Sequence, residues 1–202
     1  IRPLLGPESV VLPIQNGVKS PENIAAEYGW NYVLAGTTYI EAVRPTPGHV
    51  TQTGTVARIA FGEQDGSISA RVRRVAKILE KPGIQIEISS DIVSTLWTKL
   101  ITVASVGSVM TATRSSLVEL LEGPEGERTI RAVMEEILSV GESVGATFAP
   151  NLVDERLKET IAEAPEVRAS LQADFEAGNP LEIDDLLGAV VQQARKNGIP
   201  VP

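Results

Sequence analysis

Near Ser89 the chain changes its pattern, and that change limits the folds open to it. Up to that point short apolar or alternating runs, bounded by glycine and proline, interleave with stretches of helical spacing. Beyond it almost every segment has helical spacing. Strands interleaved with helices suggest part of an α/β sheet, and an unbroken series of amphipathic helices suggests a separate all-α domain. Charge shifts at the same place. Residues 1–90 carry a net +1 and residues 91–202 a net −9. We therefore expect an α/β portion over 1–89 and an all-helical domain over 90–202.

Within the first portion, "SVVLPIQ" is a compact apolar run ending at Asn16-Gly17. In "SPENIAAEYG", Ser20 reads as an N-cap, Pro21 as the first helical position and Gly29 as the stop. "WNYVLAGTTYIEAVR" alternates and is β-rich, and "HVTQTG" and "ARIAFGE" follow as separate runs. "SISARVRRVAKILEK" puts Val72, Val75, Ala76 and Leu79 on one helical stripe, and "GIQIEIS" is a short strand. In the second portion, Asp91 or Ser90 caps a helix running to about Ala112. Helices are also expected in "EGERTIRAVMEEILSVGESVG", "PNLVDERLKETIAEA" and "PEVRASLQADFEAG". In "NPLEIDDLLGAVVQQARKNG", Asn179 reads as the cap and Pro180 as the opening. Acids crowd the first turn, Arg195 and Lys196 occupy the last, and Gly198 is the stop.

Composition removes several classes of function. Net charge is −8, which argues against nucleic acid and anionic membranes as partners. There is no cysteine and one histidine, His49, so thiolate chemistry is excluded and no metal site is expected. No signal-peptide pattern and no uninterrupted apolar stretch of about 18 residues is present, so the expected compartment is the cytoplasm.

Lys99 stands in the apolar run "STLWTKLITVASVGSVM". At about 100° per residue it shares a helix face with Thr95, Thr102, Val103, Val106 and Met110, and Trp97 points the other way. No carboxylate stands three or four positions from it. Desolvation lowers an ammonium's pKa, which suits a general acid. A lysine whose stem lies on the core while its head reaches water explains the pattern too. Glu182 is either half of a capping box with Asn179 or a carboxylate aimed at a polar ligand. Ser170 reads as a mid-helix serine, neutral filler or a ligand group. Asn16 belongs to an Asn-Gly pair, which turns use routinely, and His49 reads as an exposed loop residue.

None of these signals is specific alone, but their order is. "LPIQNGV", "AGTTYIEA", "PGHVTQTG", "RIAFGE", "DIVSTLWTKL", "SLQADFEAGNPLEID" and "ARKNGIPVP" succeed one another as in ketopantoate reductases (2-dehydropantoate 2-reductases), and the resemblance covers essentially the whole chain. It implies the C-terminal part of a Rossmann-type nucleotide-binding domain over 1–89. It also implies an all-α substrate and dimerisation domain, like the C-terminal domain of 6-phosphogluconate dehydrogenase, over 90–202. The active site would lie in the cleft between the domains. Neither G-x-G-x-x-G nor a P-loop occurs, so the phosphate-binding turn of such an enzyme lies outside this sequence.

By resemblance, Lys99 is the catalytic acid. Asn16 touches both nicotinamide cofactor and substrate, Ser170 binds substrate, and Glu182, the second catalytic residue, contacts the cofactor side and orders the site. Glu41 falls where a small residue lines the cofactor in some members. The implied reaction is NADPH-dependent reduction of ketopantoate or a related 2-oxo acid, as in pantothenate biosynthesis. Three positions depart from the family pattern: Val103, Gly107 and Leu117 stand where many members have substrate-binding asparagines. Thr102, Ser105, Ser108 or Arg114 are the available replacements, Arg114 as a carboxylate clamp. The alternative is a non-catalytic helical dimerisation or binding module of the same architecture. Apolar stripes on several helices suit a homodimer, and core packing explains them equally well.

Overall fold

The computed structural model describes residues 1–165 and 167–202. The chain forms two compact units, Ile1–Thr95 and Leu96–Pro202.

The first unit is built on a three-stranded sheet. Helix α1 (Ser20–Tyr28) precedes strand β1 (Ala35–Thr46), which pairs antiparallel with β2 (His49–Gly62). Thr46 pairs with His49 across Pro47-Gly48, where Gly48 takes φ +79°. Helix α2 (Ala70–Leu79) then crosses over, and β3 (Gln85–Ile88) returns parallel to β2. The Ser69 hydroxyl caps α2 by accepting from the Val72 N–H at 3.2 Å. The expected stripe of Val72, Val75, Ala76 and Leu79 packs on Leu34, Phe61, Ile86 and Ile88 as the core of this unit.

Three local expectations need correcting here. "SVVLPIQ" forms no strand; it makes one parallel bridge, Val11 to Val33. Pro13 has no N–H to extend that ladder. "HVTQTG" and "ARIAFGE" are one continuous strand, with Gly54 inside it. In α1, Ser20 is the first helical residue, and Lys19 holds the cap position without a side-chain bond.

The second unit is helical. Helix α3 (Ile92–Thr113) begins in the first unit and runs into the second. It is followed by α4 (Leu117–Leu120), α5 (Pro124–Ser143), α6 (Leu152–Ala162), α7 (Ser170–Ala177) and α8 (Leu187–Asn197). Asp91 caps α3: its carboxylate accepts from the Ser94 N–H at 3.0 Å and the Ser94 hydroxyl at 2.6 Å. By length and composition α3 could cross a membrane, yet 56% of its most apolar window is buried within the protein. Trp97, 4% exposed, and Phe148 press on α5 at Gly141, where a Cβ would come within 2.8 Å of the Phe148 ring and 3.1 Å of the Trp97 ring. Asn197, at the end of α8, donates to the Ser143 hydroxyl at 2.7 Å, and Gly198 ends α8 in the left-handed region.

Two helix starts differ from expectation. In "PEVRASLQADFEAG" the helix begins only at Ser170, because Ala169 is extended, with ψ 123°; Glu166 lies outside the described residues. The last helix begins at Leu187, with no acid in its first turn. Asn179 belongs to the turn that closes α7: its N–H donates to the Asp174 carbonyl at 2.9 Å and its amide to the Asp174 carboxylate at 3.0 Å.

Candidate active site

Helix α3 positions Lys99 through its opposite face. Trp97, Leu100, Ile101 and Ala104 are buried, which fixes the rotation of the helix. Lys99, Thr98, Thr102 and Val103 stay half-buried along the remaining strip. Lys99 is thus half-buried on the edge of the packed helical unit.

Lys99, Val103 and Gly107 form an i, i+4, i+8 row on one side of α3. Where that row ends, the start of α7 comes down. A Cβ on Gly107 would lie 3.6 Å from the Leu171 Cβ and 3.8 Å from the Ala169 Cβ. Ser170 sits between those two residues, exposed, as the first residue of α7. Lys99 and the Ser170 segment are therefore associated with one helix face, about 12 Å apart along its axis.

The other expected residues are placed as follows. Glu182 is exposed and opens a run of turns; its carbonyl accepts from the Asp185 and Leu186 N–H groups at 3.2 and 3.0 Å. The capping box expected of Asn179 and Glu182 does not form, because α8 starts five residues after Glu182. Arg114 takes φ +56° just beyond the end of α3, and its guanidinium lies over the Phe175 ring at 5.4 Å. Thr113 lies about 21 Å along the helix from Lys99. Leu117 is 1% exposed in the helical core, so that position offers nothing to a substrate. The Ser105 hydroxyl is fully buried and donates to the Ile101 carbonyl at 2.6 Å, and that of Ser108 donates to the Ser105 carbonyl at 3.1 Å. Both are turned back on their own helix.

In the first unit, Asn16 is half-buried in the bent segment after the Val11–Val33 bridge, and Gly17 takes φ +91°. Glu41 is exposed on the part of the β1–β2 ribbon beyond the core. It sits at a register shift between Ile40 and Ala42, and its side chain lies over Gly54, where a Cβ would be 2.9 Å from the carboxylate. His49 is exposed, beside the turn.

A pair with no sequence signal organises this unit. The buried Glu63 carboxylate accepts from the Ser69 hydroxyl at 2.6 Å and from Arg71 Nε at 2.7 Å, and Arg71 Nη2 also bonds to it. Arg71 donates onward to the carbonyls of Trp30 at 3.1 Å and Val33 at 3.2 Å, and to that of Asn31. Hydrogen bonding from Arg71 holds the Glu63 pKa below its ordinary value against the opposing effect of burial. Val11 and Tyr32, bonded at 2.7 Å, connect this clamp to the segment leading to Asn16. Elsewhere, a cavity of about 280 Å³ between α5 and α6 is lined by residues including Arg131 and Asp154, paired at 2.6 Å; it holds none of the residues discussed above.

The family model described as "Ketopantoate reductase PanE/ApbA C terminal" matches residues 91–202, and "Ketopantoate reductase PanE/ApbA" matches residues 1–66. The chain belongs to the ketopantoate reductase family. A 2-dehydropantoate 2-reductase from Mesorhizobium japonicum is 31% identical over an alignment covering all of this chain and 67% of that protein. Among solved structures, 2-dehydropantoate 2-reductase from Geobacter metallireducens matches at 25% identity and TM-score 0.89, over 98% of this chain and 66% of that one. The enzyme from Methylococcus capsulatus matches at 26% and 0.86, over 100% and 64%. The chain thus spans about two thirds of the length of these relatives, and its architecture is a Rossmann-type α/β portion followed by an all-helical portion.

Proposed function

We propose that the full-length protein carrying this chain reduces ketopantoate or a related 2-oxo acid to the 2-hydroxy acid with NADPH. The observation that carries this reading is the placement of Lys99 at the foot of a helix row that ends against the start of α7, beside Ser170. Family membership supports the reaction class.

Asn16 fits a nicotinamide contact. It is a half-buried amide, and the glycine after it adds no side chain to crowd a planar ring. Asn16 and Glu182 are the residues of this chain that would hold the cofactor, which supplies the hydride when bound. Lys99 does the proton work. Its ammonium hydrogen-bonds to the ketone oxygen, stabilises negative charge as it grows there, and passes one proton from Nζ to that oxygen. The Ser170 hydroxyl donates to the substrate carboxylate and fixes its orientation. Glu182 holds a charge of opposite sign to Lys99 within the polar network.

The test is NADPH consumption by the full-length protein across a panel of 2-oxo acids, with NADH in parallel. Turnover of at least one acid, faster with NADPH, is the expected result. No turnover of any acid with either cofactor, from folded protein, would favour a helical binding module without catalysis.

A further inference from the structure

We propose that Ser89 is a positioning residue for Lys99, a proposal that rests on the reductase reading above. Ser89 stands between β3 and α3 and is 7% exposed. Its hydroxyl accepts from the Asp91 N–H at 3.1 Å and lies 2.9 Å from the Thr95 hydroxyl. Thr95 donates its own proton to the Asp91 carbonyl at 2.9 Å, so the proton between the two hydroxyls comes from Ser89. Ser89, Asp91 and Thr95 thereby close a ring of hydrogen bonds at the first turn of α3.

The backbone under this ring is held as well. The Ser89 N–H donates to the Phe61 carbonyl at 2.9 Å. A Cβ on Gly62 would overlap the Ser89 carbonyl oxygen, and one on Gly66 would overlap that of Ser90. The loop carrying both glycines is closed by a bond from the Gly66 N–H to the Glu63 carbonyl at 3.1 Å, and the Glu63 carboxylate is fixed by Ser69 and Arg71. The clamp of the first unit therefore braces the segment that leads into α3.

Ile92 to Thr95, the turn held by the ring, belongs to the first unit, and α3 continues unbroken through Lys99. Lys99 follows Thr95 by four residues, about 6 Å further along the same side of the helix. A rotation of the first turn is passed on to it. At a side-chain radius of about 5–6 Å, a rotation of about 10° moves a side chain by about 1 Å. A shift of that size can slow catalysis by about 10²-fold. Ser89 acts through Thr95 and the helix, without touching substrate.

The experiment measures kcat and KM with NADPH and the best 2-oxo acid in the full-length protein. The variants are Ser89→Ala, Thr95→Val, Thr95→Ser and Lys99→Ala, with Ser89→Ala and Thr95→Val each also combined with Lys99→Ala. Ser89→Ala and Thr95→Val are expected to lower kcat by about tenfold with KM for NADPH near wild type. Thr95→Ser, which keeps the hydroxyl, is expected to retain wild-type kcat. In the Lys99→Ala background, loss of either hydroxyl is expected to lower kcat no further, because its effect runs through the missing amine. Thr95→Val carries the comparison alone should Ser89→Ala fail to fold. A loss of equal size with and without Lys99, or wild-type kcat in the variants lacking a hydroxyl, overturns the proposal and leaves the reductase reading standing. No turnover by the wild type, or wild-type kcat from Lys99→Ala, overturns that reading and the proposal with it.

Discussion

Glu63 and Arg71 are the residues whose removal should be felt most in the first unit. Glu63→Gln leaves a guanidinium bonded to three carbonyls without its counter-charge, at an expected cost of about 3 kcal/mol in urea unfolding at neutral pH. The pH dependence has a definite sign. Arg71 holds the folded-state pKa of Glu63 below its unfolded value, so the stabilisation is complete above the ordinary carboxylate range. It is lost as pH falls through the folded pKa, and wild type and variant should converge in acid. On the proposed reading, replacing the exposed Ser170 by alanine removes one substrate hydrogen bond and no packing. KM for the 2-oxo acid should rise about tenfold with kcat nearly unchanged in steady-state assays. A fall in kcat with KM constant would assign the hydroxyl a different role.

At the scale of elements, the regular spacings were readable and the starts of two helices were not. The stripe on α2 and the orientation of α3 follow from helical periodicity and from which residues are apolar, and both appear as expected. The start of α8 is misread because Asn179, Pro180 and the following acids mimic a helix opening, whereas Asn179 spends its amide on Asp174. The late start of α7 has no glycine or proline between 166 and 169 to mark it. The Glu63–Arg71 clamp joins residues through a loop and a helix turn, so no sequence spacing announces it. Packing of α3 on α5 makes its own prediction: Gly141→Ala puts a methyl within 2.8 Å of Phe148 and 3.1 Å of Trp97. Thermal unfolding should show a loss of about 1–3 kcal/mol. An unchanged midpoint would mean the two rings can move aside.

For the whole molecule, family membership was legible in the order of short motifs, none of which is specific alone, and the family models match 1–66 and 91–202. The substrate was less legible, because Leu117 turned out to be core and Arg114 to lie at the far end of α3. The isolated 202-residue chain has no glycine-rich phosphate turn, so calorimetry should find weak or no NADPH binding to it. Tight binding would put the cofactor contacts on other residues. Lys99 is the claim on which the rest turns, and it is reached most directly through kcat. In the full-length protein, with NADPH and the best 2-oxo acid, Lys99→Ala should lower kcat by about 10²- to 10⁴-fold, with circular dichroism and melting temperature near wild type. A folded Lys99→Ala protein that keeps wild-type kcat would show that the proton comes from somewhere else.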